Sequence, residues 1–307
     1  MAEETTERVT RTLICRWLVA LRIHHWSKSG FCLAALLFHG AATDVSAWLA
    51  VVPCAVCFCL ISSAVYLAND IFNRNEDCCH PTKRDRPIAA GYISIRWAWA
   101  AVCALVAISL GVSFLCYGDG NVTRVIVAYY LLSWLYSFFL RGLPLVDVLV
   151  IGLGFVARVA AGAFALQSFD FTARPTGWLV GCTYFLALLL GFGKRKGEWL
   201  LVEVSGMEPG VTRRALRGYT TDLLNVLIGG SAMCAGFIYV AYCLSRPDRF
   251  PFVFTAVPAL TGLASYLRLA WGSASVETPE YLLLRSRGLS ISLVGWLSLV
   301  GWFTAIR

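Results

Sequence analysis

Between positions 69 and 91 a dense acidic stretch runs straight into a dense basic one. It reads Asn69-Asp70-Ile71-Phe72-Asn73-Arg74-Asn75-Glu76-Asp77, then Cys78-Cys79, then His80-Pro81-Thr82-Lys83-Arg84-Asp85-Arg86-Pro87-Ile88-Ala89-Ala90-Gly91. If a helix continues to Asp77, its turn of about 100° per residue puts Asn69, Asp70, Asn73, Glu76 and Asp77 on an arc of about 120°. That face offers only oxygen donors. A hard cation such as Mg²⁺ suits it, because this ion usually takes one or two carboxylates and completes its shell with phosphate oxygens and water. Carboxylates holding such an ion, followed closely by Lys83, Arg84 and Arg86, make an arrangement that grips phosphate groups. The plain alternative is a solvated helix end followed by a loop whose charge sets membrane orientation. Cys78, Cys79 and His80 lack a tetrahedral zinc spacing, so zinc is not expected there.

The elements that position these residues are read from composition. Hydrophobic residues make up 58% of the 307 and charged residues only 14%. A soluble domain shows roughly 45–50% and about 25%. Apolar runs long enough for a bilayer core of about 30 Å occur at about 30–46, 49–72, 95–117, 122–140, 144–166, 176–193, 220–244, 252–271 and 288–306. The expected fold is an all-α integral membrane bundle of about nine transmembrane helices. One domain spans 1–307, and residues 1–29 form a cytoplasmic or interfacial N-terminal segment. Placing the N-terminus in the cytoplasm gives a roughly four-to-one excess of Lys and Arg on the inner side, as the positive-inside rule requires. The net charge of +8 is therefore assigned to orientation, and no nucleic-acid partner is expected. Most of the twelve cysteines lie within apolar runs and behave there as small hydrophobes.

The stretch NDxxxxxxD running into HPTKRDRPIAAG resembles the UbiA superfamily of intramembrane prenyltransferases. Within it, the basic extension resembles the branch that moves 5-phosphoribose from phosphoribosyl diphosphate onto decaprenyl phosphate. The resemblance continues along the chain. Leu21-Arg22 with Trp26 and Lys28 is similar to the family's LRxxxWxKN segment. Tyr136-Ser137 with Arg141, Asp147-Val148 and Gly154-Phe155-Val156-Ala157-Arg158 is similar to its YSxxLK…DV…GFVLR stretch. Phe185-Leu186-Ala187-Leu188 and Gly193-Lys194-Arg195-Lys196-Gly197-Glu198 are similar to FLALxLxxGKRxxE. Pro279-Glu280 with Leu283-Leu284-Arg285 is similar to PExxLLxDRPL. Three positions depart from the pattern. Asn73 stands for the middle Asp of NDxxDxxxD, Arg141 for a Lys, and Ser286 for an Asp.

The resemblance implies a Mg²⁺-dependent transferase in a bacterial inner membrane, with its active site facing the cytoplasm. Its substrates would be phosphoribosyl diphosphate and a polyprenyl phosphate. Asp70 and Asp77, with Asn69 and Asn73, are the expected metal ligands. Asp70, Asp77, Lys83 and Arg86 are the expected catalytic residues. Lys83, Arg84, Arg86, Tyr136, Arg141, Asp147, Arg158, Lys194 and Arg195 are the expected substrate contacts. Two anionic substrates repel each other, and a second basic cluster at 194–196 would offset that repulsion. Arg158 and Asp147, 11 residues apart, fall close to one helix face, and a deep Arg needs a partner. The alternatives are a prenyl diphosphate-using prenyltransferase and, from another class, a transporter. No internal repeat of the kind transporters often show is visible in the sequence. The product would feed a lipid-linked arabinose donor for cell-wall polymers or for a secreted nodulation signal.

Overall fold

The computed structural model describes residues 13–79, 83–206, 213–246, 252–272 and 286–305. Among them every regular element is helical. A short helix α1 (13–20) leads into a 3₁₀ segment Ile23–Leu33 and a short α2 (Ala34–His39). Then follow α3 (Val45–Phe72), α4 (Arg74–Cys79), α5 (Ile95–Tyr117), α6 (Asn121–Leu135) with a π turn Tyr136–Leu140, α7 (Val146–Leu166) and α8 (Gly177–Val204). A 3₁₀ turn Arg214–Gly218 precedes α9 (Thr221–Ser245), α10 (Ala256–Gly272) and α11 (Arg287–Ala305). Among the described residues six helical spans, Val45–Phe72, Ile95–Tyr117, Asn121–Leu140, Val146–Leu166, Gly177–Val204 and Thr221–Ser245, are long and apolar enough to cross a membrane.

Three expected elements take a different form. The run expected as one span over 30–46 is broken. Gly40 adopts φ +73 after His39, and the Asp44 carboxylate accepts the Ser46 N–H at 2.8 Å to start α3 afresh. Gly tolerates the left-handed conformation that ends a helix, and Asp is a favoured N-cap. The expected straight helix through Asp77 turns at Asn73 (φ −90, ψ 8) before α4 begins, although the Asp77 N–H still reaches the Asn73 carbonyl at 2.8 Å. The span expected to end at 193 continues to Val204, because Trp199, Leu200, Leu201 and Val202 prolong the apolar pattern. The 194–198 cluster is therefore helical rather than part of a loop.

Small residues let the helices meet closely, as is usual where lipid removes the hydrophobic drive for association. A Cβ on Gly162 of α7 would lie 2.0 Å from the Cys32 carbonyl oxygen, and one on Gly191 of α8 would lie 2.6 Å from a Val148 methyl. One apolar core joins α3, α5, α6 and α7 around Phe58, Ile61, Ile126 and Leu166. Another joins α7, α8, α9 and α10 around Leu189, Phe192, Leu216 and Leu224. All twelve cysteines are free thiols.

Candidate active site

The polar residues gather at the end of the bundle where α3, α6 and α8 finish and α5, α7 and α9 begin. Asp70 lies in the last turn of α3, and Asp77 lies on α4. Both are buried, at 4% and 3% exposure. Across the break at Asn73 the two carboxylates converge on Arg86. One nitrogen, Nη1 of Arg86, donates to Asp70 Oδ1 at 3.0 Å and to Asp77 Oδ2 at 2.8 Å. Nη2 of Arg22 donates to the same Asp70 oxygen at 2.6 Å, with its guanidinium 4.8 Å from the Tyr66 ring. Arg22 itself has a left-handed backbone (φ 51, ψ 48) where α1 gives way to the 3₁₀ segment. That segment is pinned to α3 by Trp26, whose indole donates to Ser63 Oγ at 3.0 Å, and by the Ser63 hydroxyl, which donates to the Leu21 carbonyl at 2.8 Å.

Asn69 and Asn73 orient the helix end. The Asn69 amide donates to Ser137 Oγ at 3.1 Å, tying α3 to the π turn, and the Asn73 amide donates to the Asn69 carbonyl at 2.8 Å. Arg141 reaches Asn73 Oδ1 at 3.4 Å. Lys83 is half-buried, and Arg84, Arg141 and Lys194 are exposed. Glu76, on the same expected arc, is exposed as well. His80, Pro81, Thr82 and the stretch from Pro279 to Arg285 lie outside the described residues.

Across from the carboxylate pair a second network is sealed in. Asp147, in the first turn of α7, has no exposed surface. Its Oδ2 accepts from Arg195 Nε at 2.7 Å and its Oδ1 from the Tyr219 hydroxyl at 2.7 Å. Arg195 Nη1 also donates to Glu198 at 2.7 Å, one helical turn on. Burial, then the hydrogen bond to Asp147, push the Tyr219 hydroxyl well above its ordinary pKa, so it stays a donor. The same oxygen accepts the N–H of Leu145, whose φ of +65 sets the turn into α7. Arg213 Nε lies 3.6 Å from Asp147, and its Nη2 donates to the Tyr136 hydroxyl at 2.6 Å.

Arg195 and Asp147, both expected as substrate contacts, are thus each other's partners, and Arg195 is only 2% exposed. Arg158, a deep Arg expected to need a partner, has its own set of acceptors. It sits deep in α7, 5% exposed, and donates to Tyr129 Oη (2.7 Å), Ser62 Oγ (3.3 Å) and its own Gly154 carbonyl (2.9 Å). It joins α3, α6 and α7, and none of the other expected site residues touches it. Three contributors escaped the sequence reading. Arg22 carried a signal only in the LRxxxWxK pattern, and Arg213 and Tyr219 carried none, because they lie more than 70 residues from their partners along the chain.

The profile of the UbiA prenyltransferase family matches residues 29–286. The chain belongs to the UbiA prenyltransferase family. It is a transferase by that membership, and its long apolar helices make it a multi-pass membrane protein. It is 30% identical to the decaprenyl-phosphate phosphoribosyltransferase of Corynebacterium glutamicum over 90% of this chain and 83% of that protein. It is also 30% identical to the enzyme so named from Mycobacterium tuberculosis strain H37Rv over 98% of each. A nodulation protein NoeC of Azorhizobium caulinodans matches at 32% over 48% of this chain and 47% of that one. In fold, the UbiA chain resembles a UbiA homolog from Archaeoglobus fulgidus solved with DMAPP and Mg²⁺. The TM-score is 0.67, the identity 15%, and coverage is 95% of this chain and 100% of that one.

The UbiA chain's residues can be tested for fit to Mg²⁺. Among the described residues no three His, Cys, Asp or Glu side chains converge. Two carboxylate oxygens do meet one cationic nitrogen, that of Arg86. A pair of carboxylates with Asn oxygens nearby is the donor set Mg²⁺ takes when phosphates supply the rest. The residues fit the ion.

Proposed function

We propose that this UbiA-family chain transfers 5-phosphoribose from phosphoribosyl diphosphate to a polyprenyl phosphate and releases diphosphate. The observation that carries the reading is the Asp70–Asp77 pair closed by a single guanidinium nitrogen of the basic 83–86 loop. Relatives named for this reaction match along nearly the whole chain, which supports it further. Asp70 and Asp77 would hold Mg²⁺, with Asn69 and Asn73 alongside. When bound, the ion neutralises charge building on the departing diphosphate.

The chain's own residues do the remaining work. Arg22 holds Asp70 in place, and Arg86 with Lys83 and Arg84 binds donor phosphates. Arg141, Lys194 and Arg213 hold the lipid phosphate, and Tyr136 steers Arg213. An oxygen of that phosphate bonds to the ribose anomeric carbon as the bond from that carbon to diphosphate oxygen breaks. The attacking oxygen is already anionic, so no general base is required. Fixed cations in a site shielded from water lower the barrier without reorganising. Asp147, Arg195, Glu198 and Tyr219 keep the ends of α7 and α8 in place.

The same reading puts the site on the cytoplasmic face of a bacterial inner membrane, with residues 1–307 as one domain of about nine crossings. The first crossing would be Ile23–His39. Its eleven 3₁₀ residues and six α residues, at about 2.0 and 1.5 Å each, reach about 31 Å, close to the bilayer core of about 30 Å. The product would supply a lipid-linked arabinose donor, and the similarity to a nodulation protein supports a secreted signal as one destination alongside cell-wall polymers.

The test is transfer of label from phosphoribosyl diphosphate to polyprenyl phosphate by purified protein with Mg²⁺. A parallel arm offers a prenyl diphosphate with an aromatic acceptor. Lipid-linked phosphoribose is the expected product. Its absence beside a working control, or turnover only in the prenyl arm, overturns the proposal.

A further inference from the structure

Beside the carboxylate pair, but lined by none of its residues, an open cavity of about 870 Å³ lies between the start of α4 and the start of α5. Arg74 and Arg96 line it together with Ser94, Ile95, Trp97 and Ala100 at the start of α5. Among the described residues no carboxylate lines the cavity, and the two arginines give it positive charge. Ile93, Ile95, Trp97 and Ala100 make the rest of its lining largely apolar. Trp97 is 71% exposed and Ile95 39% exposed, in the first turn of a span, which is where amphipathic rings settle at headgroup level.

We infer that this groove binds the phosphate of an anionic bilayer phospholipid, whose chains lie along Trp97 and the outer face of α5. Two guanidiniums meet the phosphodiester, and the apolar wall meets the first methylenes. Basic pockets at the ends of membrane helices recognise anionic headgroups on this physical basis. The polyprenyl phosphate substrate is a different occupant and belongs with the carboxylate pair, which the groove excludes. Arg74 also opens α4, the helix that carries Asp77, so a lipid held there steadies the element that brings Asp77 to Asp70. The inference rests on the chain being a membrane protein and not on which group it transfers, so it stands or falls separately from the proposed reaction.

The experiment is native mass spectrometry of the full chain released from micelles holding equal phosphatidylglycerol and phosphatidylcholine. The wild type is expected to retain phosphatidylglycerol in preference. Arg74→Gln with Arg96→Gln is expected to lower that retention about 25-fold, about fivefold for each arginine near the headgroup. Arg124→Gln, at the opposite end of the bundle with its side chain 70% exposed, is expected to leave retention unchanged. If the double variant does not stay monodisperse, Arg96→Gln alone, at an exposed position, carries the fivefold expectation. Three results overturn the inference: retention unchanged in the variants, displacement of phosphatidylglycerol by inorganic phosphate alone, or one-for-one displacement by polyprenyl phosphate.

Discussion

Asp147→Asn isolates the sealed network from the chemistry it supports. The carboxylate has no exposed surface, and its main cationic partner, Arg195, is 2% exposed. Stranding one member of a buried ion pair costs about 3–5 kcal/mol. Asn keeps the shape and one acceptor for the Tyr219 hydroxyl, and Glu198 still faces Arg195 at 2.7 Å. The expected loss is therefore at the low end, about 3 kcal/mol, or about a hundredfold in the folding equilibrium. Equilibrium unfolding of the purified chain in mixed micelles, titrated with a denaturing detergent, reads this directly. Removing both charges, with Asp147→Leu and Arg195→Met together, is expected to cost less than stranding Arg195 alone, because no buried charge is left unpaired. The reasoning is refuted if Asp147→Asn costs less than about 1 kcal/mol, or if the double replacement costs the sum of its two single changes.

Asp70→Asn and Asp77→Asn are each expected to lower turnover by about 10²–10³ and to weaken dependence on added Mg²⁺, measured as label transferred to lipid; turnover that survives both changes would remove the proposed metal site. Chelation of divalent ions is expected to abolish wild-type transfer, and added Mg²⁺ to restore it. Arg22→Met is expected to cost about tenfold in kcat/KM, from a lost charge-assisted bond to Asp70 of about 1.5 kcal/mol, with Arg22→Lys recovering part of it; equal activity in all three proteins would show that Arg22 does not position Asp70. Gly162→Val forces a side chain onto the Cys32 carbonyl, where even a Cβ would sit at 2.0 Å, and is expected to destabilise by about 1–3 kcal/mol in the same micelle titration; an unchanged midpoint would refute that packing.

Much was legible in the chain itself, because bilayer physics leaves few options for apolar runs of this length. Six expected spans, those starting near 49, 95, 122, 144, 176 and 220, appear as long apolar helices. The local spacing of Asn69, Asp70, Asn73 and Asp77 with the basic residues after them was likewise readable, since neighbours in sequence on one helix end stay neighbours in space. The folded structure decided what periodicity cannot express. The helix breaks at Asn73, and Arg86 from the following loop meets both Asp70 and Asp77 with one nitrogen. The helix continuing past Gly193 buries Arg195 and makes it the partner of Asp147, 48 residues away. Arg22 reaches Asp70 across the same separation, 48 residues. Which charges are spent on one another and which remain for a ligand is fixed only by how the helices pack, because an ion pair in a water-poor interior depends on angstroms of approach rather than on order along the chain.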